Sequence, residues 1–185
     1  MPDLSNAETD RNNTDPQANN DLLQLVSFDV GTEQYAFPIL AIQEINRAIE
    51  IIPVTQSPTL IEGVFNLRGN LVPVVDLRKR FGMPIQENTG DERIIIAEIQ
   101  GENETRVIGL AVDRVNRVLR ISRDAVQPAS PCVIGPDSDS VLGVSNLEEG
   151  HLTLLSLDKL FSQHELELAV SAIAKPHHGT SAEAA

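Results

Sequence analysis

Aromatic side chains are almost missing from this chain: no tryptophan, one tyrosine, and 3% aromatics in all. That leaves little surface on which single-stranded bases could stack. Positive charge is also scarce, with 14 Lys and Arg against 27 Asp and Glu, a net charge of −13 and a pI near 4.6. Such a surface repels phosphate backbones and anionic lipid, which argues against nucleic-acid binding and membrane-surface binding. Cysteine occurs once, at Cys132. A lone cysteine forms neither an internal disulfide nor a zinc knuckle, and after Pro131 it reads as a small apolar residue in a loop. No apolar run approaches the ~20 residues needed to cross a bilayer, so no membrane insertion is expected. The N-terminus lacks a basic stretch followed by an apolar one, so no signal peptide is expected and the chain reads as cytoplasmic.

Motifs that carry chemistry are equally sparse. There is no GxGxxG or GxxxxGK[ST] loop to cradle phosphate, and no HExxH, CxxC or GxSxG. The histidines (His151, His164, His177 and His178) all follow Gly150, which leaves a distant nucleophile without a base. His177 and His178 stand beside Pro176 and Gly179 in a polar tail, a weak metal pair at most. Asp137-Ser138-Asp139 opens like a calcium loop, with Glu148 further on. Val141 and Leu142, however, occupy positions that need an oxygen ligand and a glycine, so an Asp/Ser-rich solvated loop is the better reading. Glu148-Glu149 before Gly150 suits a turn better than acid–base work. The expectation is no catalytic residue, no metal and no cofactor: a binding module rather than an enzyme. An unrecognised enzyme and a generic SH3-like peptide binder remain as rivals. The second would need an aromatic-lined groove that five Phe and one Tyr hardly supply.

The segment 1–21 is rich in Asn, Asp, Thr and Gln and has few apolar anchors, so a disordered acidic tail is expected there, and a second tail over 175–185. Between them short β-like runs dominate. Leu25–Val30 and Gln34–Ile39 flank Gly31–Glu33 as a hairpin, and Ile49–Val54 is another β-rich run. Gly63–Leu67 and Leu71–Val75 flank a tight turn at Arg68-Gly69-Asn70, where Gly69 and Asn70 tolerate positive φ. Arg93–Ile99 with Thr105–Val112, then Arg114–Ile121, Val141–Leu147 and His151–Leu157, complete the set. Leu40–Ile45 shows one-turn apolar spacing and reads as a short helix. Asp76–Phe81 is a better one, with Asp76 as cap, Gly82 at its C-terminal end and Pro84 beyond. The longest helical pattern runs over Leu157–Ala174, with Leu160, Phe161, His164, Leu168 and Ile173 roughly on one face. Pro38, Pro53 and Pro73 inside strand-like runs suggest edges or bends, and hence small twisted barrels.

The stretch Ile61-Glu62-Gly63-Val64-Phe65-Asn66-Leu67-Arg68-Gly69-Asn70-Leu71-Val72-Pro73-Val74-Val75-Asp76-Leu77-Arg78 closely resembles the signature GVxNLRGxxxPVVDLR of the CheW family. Tyr35–Ile45 is similar to its YAxPIxxVQEI block, Val107–Val115 to its xxGLxVDxV block, and Gly143 with Leu154–Phe161 to its closing G…LLxLDKLF. The resemblance runs from about Leu22 to Ser162. Departures are modest: Ala48–Ile51 matches no family block, and Ser156 stands where the family has an apolar residue.

The resemblance implies a mainly β fold, two packed five-stranded SH3-like barrels around a hydrophobic groove, with short helices. This organisation divides the chain into a tail at 1–21, the double-barrel domain at 22–162, a C-terminal helix at 163–174 and a tail at 175–185. It also implies an adaptor that binds the cytoplasmic tip of chemoreceptors and the CheW-like regulatory domain of the kinase CheA, recruited to membrane-associated receptor arrays. Whether the pathway drives swimming, twitching or biofilm formation stays open. By position, Arg68 matches the family's receptor-binding arginine, and Ile42, Glu44 and Ile45 match its receptor-contacting segment. Ile96, Gly109 and Val115 match apolar groove positions. Ile42, Ile45, Ile96 and Val115 can equally serve the core. Gly63, Gly69, Asp76, Gly82 and Asp113 read as structural turn and cap residues.

Overall fold

In the computed structural model the described residues are 21–47, 50–54, 59–85, 89–101, 104–129, 138–148 and 150–174. The expectations for segment 1–20, the tail 175–185, Ile49, Cys132, Asp137, Glu149, His177 and His178 fall outside them, as does the side chain of Ile173.

Two sheets carry the fold. Sheet A joins β1 (Leu22–Val30) and β2 (Glu33–Pro38) to β8 (Arg114–Ser122), β9 (Val126–Gln127), β10 (Val141–Leu147) and β11 (Gly150–Leu155), in the order β8-β1-β2-β11-β10-β9. Sheet B is contiguous in sequence: β3 (Ile42–Arg47), β4 (Ile61–Leu67), β5 (Asn70–Asp76), β6 (Arg93–Gln100) and β7 (Thr105–Val112), in the order β3-β6-β7-β5-β4. The chain therefore starts sheet A, leaves to build all of sheet B, and returns through Asp113 to finish sheet A. The two-residue β9 makes sheet A six-stranded rather than five-stranded.

The core lies in three layers. Leu25, Ala36, Ile121, Leu152 and Leu154 form the apolar cluster within sheet A. Phe65, Val72, Val74, Ile94 and Ile96 form that of sheet B. The largest cluster joins the sheets, bringing Phe28, Phe37 and Leu155 from A against Ile95, Leu110 and Val75 from B. Because β6 feeds the sheet B cluster with Ile94 and Ile96 and the joining cluster with Ile95 and Ala97, it reads as an unbroken apolar run rather than an alternating one.

The predicted hairpins form, and three local expectations are corrected. Leu40–Ile45 is not a helix: a single 3-10 turn, Ile39–Ala41, leads into β3, whose ladder to β6 outweighs one turn of apolar spacing. Ile49–Val54 yields no named strand, only a bridge from Ile52 to Val64. The pattern over Leu157–Ala174 breaks into α2 (Leu157–Leu160) and α3 (Gln163–Ala174). At the break Ser162 and Glu165 form a capping box: the Ser162 hydroxyl accepts from the Glu165 N–H, and the Glu165 carboxylate accepts from the Ser162 N–H at 2.8 Å. The new start turns Leu166 and Ala169 inward and leaves His164 exposed. α1 (Leu77–Arg80) forms as expected, with Asp76 accepting from the Arg78 N–H at 2.8 Å and Gly82 following at φ +66°. Pro73 sits in an interior strand, but β5 pairs with β7 only from Val74 onward, so its missing N–H leaves that ladder intact.

Candidate functional site

The β4–β5 connection is a two-residue turn, since Leu67 pairs with Asn70. Both central residues have positive φ, Arg68 at +51° and Gly69 at +92°. A type I′ hairpin turn needs this, because its twist matches that of the flanking strands. Positive φ was expected at Gly69 and Asn70; Gly69 has it, but its companion is Arg68 and not Asn70, and Arg68 is the one non-glycine residue with positive φ among those described. Asn66 steadies the turn by accepting from the Gly69 N–H at 2.7 Å.

Glu44 on β3 meets Arg68 here, carboxylate to guanidinium at 2.6 Å. β3 and the β4–β5 hairpin stand at opposite ends of the sheet order, so the pair links the two edges of sheet B as it curls toward a barrel. The Arg68 side chain remains 80% exposed while Glu44 is 25% exposed. A second hydrogen bond, from Asn46 at 2.8 Å, fixes the other Glu44 oxygen. The guanidinium is thus held at its base by the turn and at its tip by one carboxylate, with remaining N–H groups facing solvent. It borders a cleft of about 460 Å³ lined by the apolar Leu71 and Pro73 with Val170 of α3, and by the polar Gln43, Glu104 and Arg106. Leu71 and Val170 are partly exposed there.

The other candidate residues divide. Glu44, Ile96, Gly109 and Val74 are successive cross-strand partners across β3, β6, β7 and β5. Ile96 is fully buried. Gly109 is buried too, and a Cβ there would meet Ile94, Phe65 and Val74 at 3.0 to 3.3 Å. Neither offers surface to a partner, so the groove assignment of Ile96 and Gly109 is replaced by a core role. Ile42 packs against the joining cluster, while Ile45 is 39% exposed at the β3 edge. Val115 belongs to sheet A, packs against the joining cluster and lines a different cleft with Asp29, Gln34 and Arg114. The structure therefore brings Arg68, Glu44 and the exposed Ile45 to one edge of sheet B and leaves Val115 elsewhere.

The structural assignments also divide. Gly63 is in no turn: it lies inside β4 at a bulge, where a Cβ would strike the Ile52 carbonyl and come within 2.7 Å of the Ile51 side chain. Asp113 does more than turn the chain. It links β7 to β8, accepts from the Gly31 N–H at 2.6 Å, and meets the Arg78 guanidinium at 2.6 Å. Arg78 is buried and lies in α1, between β5 and β6 of sheet B, whereas Gly31 turns a hairpin of sheet A. Asp113 and Arg78 thus fasten one sheet to the other. Arg80 adds a second tie, donating twice to the Leu160 carbonyl at 2.8 and 3.0 Å. Arg78 closes the family signature, but nothing in the sequence says that its guanidinium reaches Asp113. Next to these ties Tyr35 stacks on Phe81 and Phe28, and burial together with Glu33 pushes its phenol up to about 12.

Among the described residues no group of His, Cys, Asp and Glu could hold a metal ion, and no helix is long and apolar enough to cross a membrane. What the molecule presents is a double-sheet β scaffold with a fixed charged turn beside a cleft lined by both polar and apolar side chains.

A model of the CheW-like domain matches residues 24–165. Over 157 residues the chain is 34% identical to the chemotaxis protein CheW of Klebsiella aerogenes, covering 83% of this chain and 90% of that one. CheW of Treponema pallidum is 31% identical over 150 residues, covering 80% and 88% respectively. The crystal structure of the scaffolding protein TtCheW from Thermoanaerobacter tengcongensis superposes with a TM-score of 0.68 at 32% identity, covering 77% of this chain and 90% of that chain. The chain belongs to the CheW family, whose fold is two SH3-like β domains and whose members are adaptors and not enzymes.

Proposed function

We propose that this chain couples chemoreceptors to the histidine kinase CheA in a chemosensory pathway, binding a receptor's cytoplasmic tip with the Arg68 edge of sheet B and the CheA regulatory domain with separate apolar surface. The observation that carries this reading is the placement of Arg68: exposed, yet fixed by a two-residue turn and by Glu44, beside a cleft of mixed polar and apolar lining. Helical hairpins are recognised by apolar anchors that supply affinity and polar groups that set orientation. A guanidinium pairs bidentately with a carboxylate. Glu44 already holds one side of Arg68, so it serves to aim the guanidinium as well as to meet the partner. The similarity to chemotaxis proteins CheW and to a solved scaffolding protein of the family supports the same assignment.

The test is a pair of titrations. Arg68→Ala should weaken binding to a receptor fragment by about 1–3 kcal/mol and leave CheA binding and the melting curve nearly unchanged. Arg68→Lys should recover part of the loss, because lysine keeps the charge without the fork. If both affinities fall together with the melting temperature, Arg68 is a structural residue and the assignment fails.

A further inference from the structure

Basic residues are few in this chain, yet four of the fourteen fall within ten positions: Arg114, Arg117, Arg120 and Arg123. All four are exposed, and they lie along β8 and the turn just after it. Among the described residues β8 is an end strand of sheet A, nine residues long, and its ladder runs to β1 alone. No described strand pairs with its other edge, where a strand carries main-chain donors and acceptors. Arg114 is answered by Asp29 at 2.9 Å. Arg120 and Arg123 make no ion pair among the described residues. The half-exposed Val118 lies between them and Arg114.

The chain enters the fold at this same place. Leu22 pairs with Ser122, and the Asp21 carbonyl accepts from the Arg123 N–H at 2.9 Å. Residues 1–20 are therefore tethered at the C-terminal end of β8, next to its two unanswered arginines. They carry Asp3, Glu8, Asp10 and Asp15 against one base, Arg11. At roughly 3.3 Å per residue, twenty residues can extend about 66 Å, and nine strand residues about 30 Å. The segment is long enough to turn back and follow the whole edge.

From the charge complementarity, the tether point and the length, we infer that the acidic segment 1–20 of this chain is the occupant of the β8 edge. Its carboxylates pair with Arg120 and Arg123, and its main chain runs beside the open strand. Having few apolar anchors, it is held by charge and by tethering rather than by burial; a short flexible tether supplies an effective concentration of order millimolar. The segment covers an edge that could otherwise pair with another chain, and it sets a threshold that an acidic partner must exceed to reach those arginines.

The experiment uses the full chain, with Cys132→Ser and a nitroxide on Asn6→Cys, and reads line broadening of the β8 amides. At low salt, broadening of the Val118–Arg123 amides is expected to exceed that of β3 and β6 several-fold. It should vanish at about 0.5 M salt, where the Debye length shrinks to roughly 4 Å. It should also vanish in Arg120→Glu/Arg123→Glu, and separately in the neutralised segment Asp3→Asn/Glu8→Gln/Asp10→Asn/Asp15→Asn. Uniform or absent broadening at low salt overturns the inference. So does persistence in either charge variant. Mixing labelled chain with unlabelled, isotope-enriched chain gives the last arm: broadening transferred between molecules would make a second copy the occupant and overturn the intramolecular assignment.

Discussion

Removing the Arg78 guanidinium is the sharpest perturbation the fold offers. Arg78→Ala leaves the Asp113 carboxylate, itself 19% exposed, without its charged partner between the two sheets. Asp113 would still accept from Gly31, but one hydrogen bond does not balance a buried charge. Breaking a buried pair by removing one member costs about 3–5 kcal/mol, far more than an exposed pair. For a domain of this size that corresponds to a fall in melting temperature of roughly 6–20 °C. Asp113→Ala should cost a similar amount, because it takes the charged partner from the buried Arg78 and also leaves the Gly31 N–H unanswered. Arg78→Ala with Asp113→Ala should be less harmful than the sum of the single changes, by about 1–3 kcal/mol. The assay is equilibrium urea unfolding of the four proteins, with the slope compared to check that each unfolds as one unit. If each single change costs under about 1 kcal/mol, or if the costs simply add, the pair does not fasten the sheets and the reasoning is wrong.

Tyr35 is the only tyrosine and there is no tryptophan, so phenolate absorbance reports on it alone. Its midpoint should stand near 12 in the folded chain and near 10 in denaturant. Because the folded value is the higher, the stability linked to neutral Tyr35 is present below about pH 10 and lost as pH rises toward 12, and Tyr35→Phe should flatten that loss. Gly63→Ala should destabilise by about 1–3 kcal/mol through overpacking against Ile52 and Ile51, measured by urea midpoint, whereas the same change at Gly69 should act only through its positive φ. Deleting residues 1–20 should leave the melting temperature within about 3 °C of the full chain, since exposed ion pairs contribute at most ~1 kcal/mol each; a larger fall would mean that the segment packs on the core.

Hairpins were the most legible part of the fold. Gly31, the Arg68-Gly69 pair and the polar stretch 100–104 interrupt apolar runs at the spacing of strand, turn and strand, and local chemistry decides such turns. The helix predicted over Leu40–Ile45 failed because its apolar spacing was real but too short to nucleate, so the ladder to β6 governed it. The long C-terminal pattern hid a break, because Ser162 and Glu165 form a cap inside what reads as one apolar stripe. At the site, the family signature located Arg68 and Glu44, but no sequence pattern says that they pair across opposite ends of a sheet. Ile96 and Gly109 show the same limit. An apolar residue and a glycine in a strand look alike whether they face a groove or a core, and only the curl of sheet B places them inside.

The order in which the chain builds its sheets bears on how an adaptor can work. Sheet A is closed only after sheet B is complete, so the two cannot be separated without opening sheet A's β1–β8 ladder or the links through Asp113. The largest apolar cluster lies between the sheets rather than within either, and Arg78 and Arg80 add polar ties at its rim. Two surfaces mounted on such a body keep a fixed mutual orientation, because sliding one sheet on the other would expose Phe28, Leu110 and Leu155 together. A coupling protein without catalytic chemistry can act only by holding partners in place, and rigid joining of its halves is the physical requirement for that. The Arg78→Ala experiment therefore tests more than stability. A variant that stays folded but loses this tie should bind each partner alone nearly as well as before, and should fail first where both must be held at once.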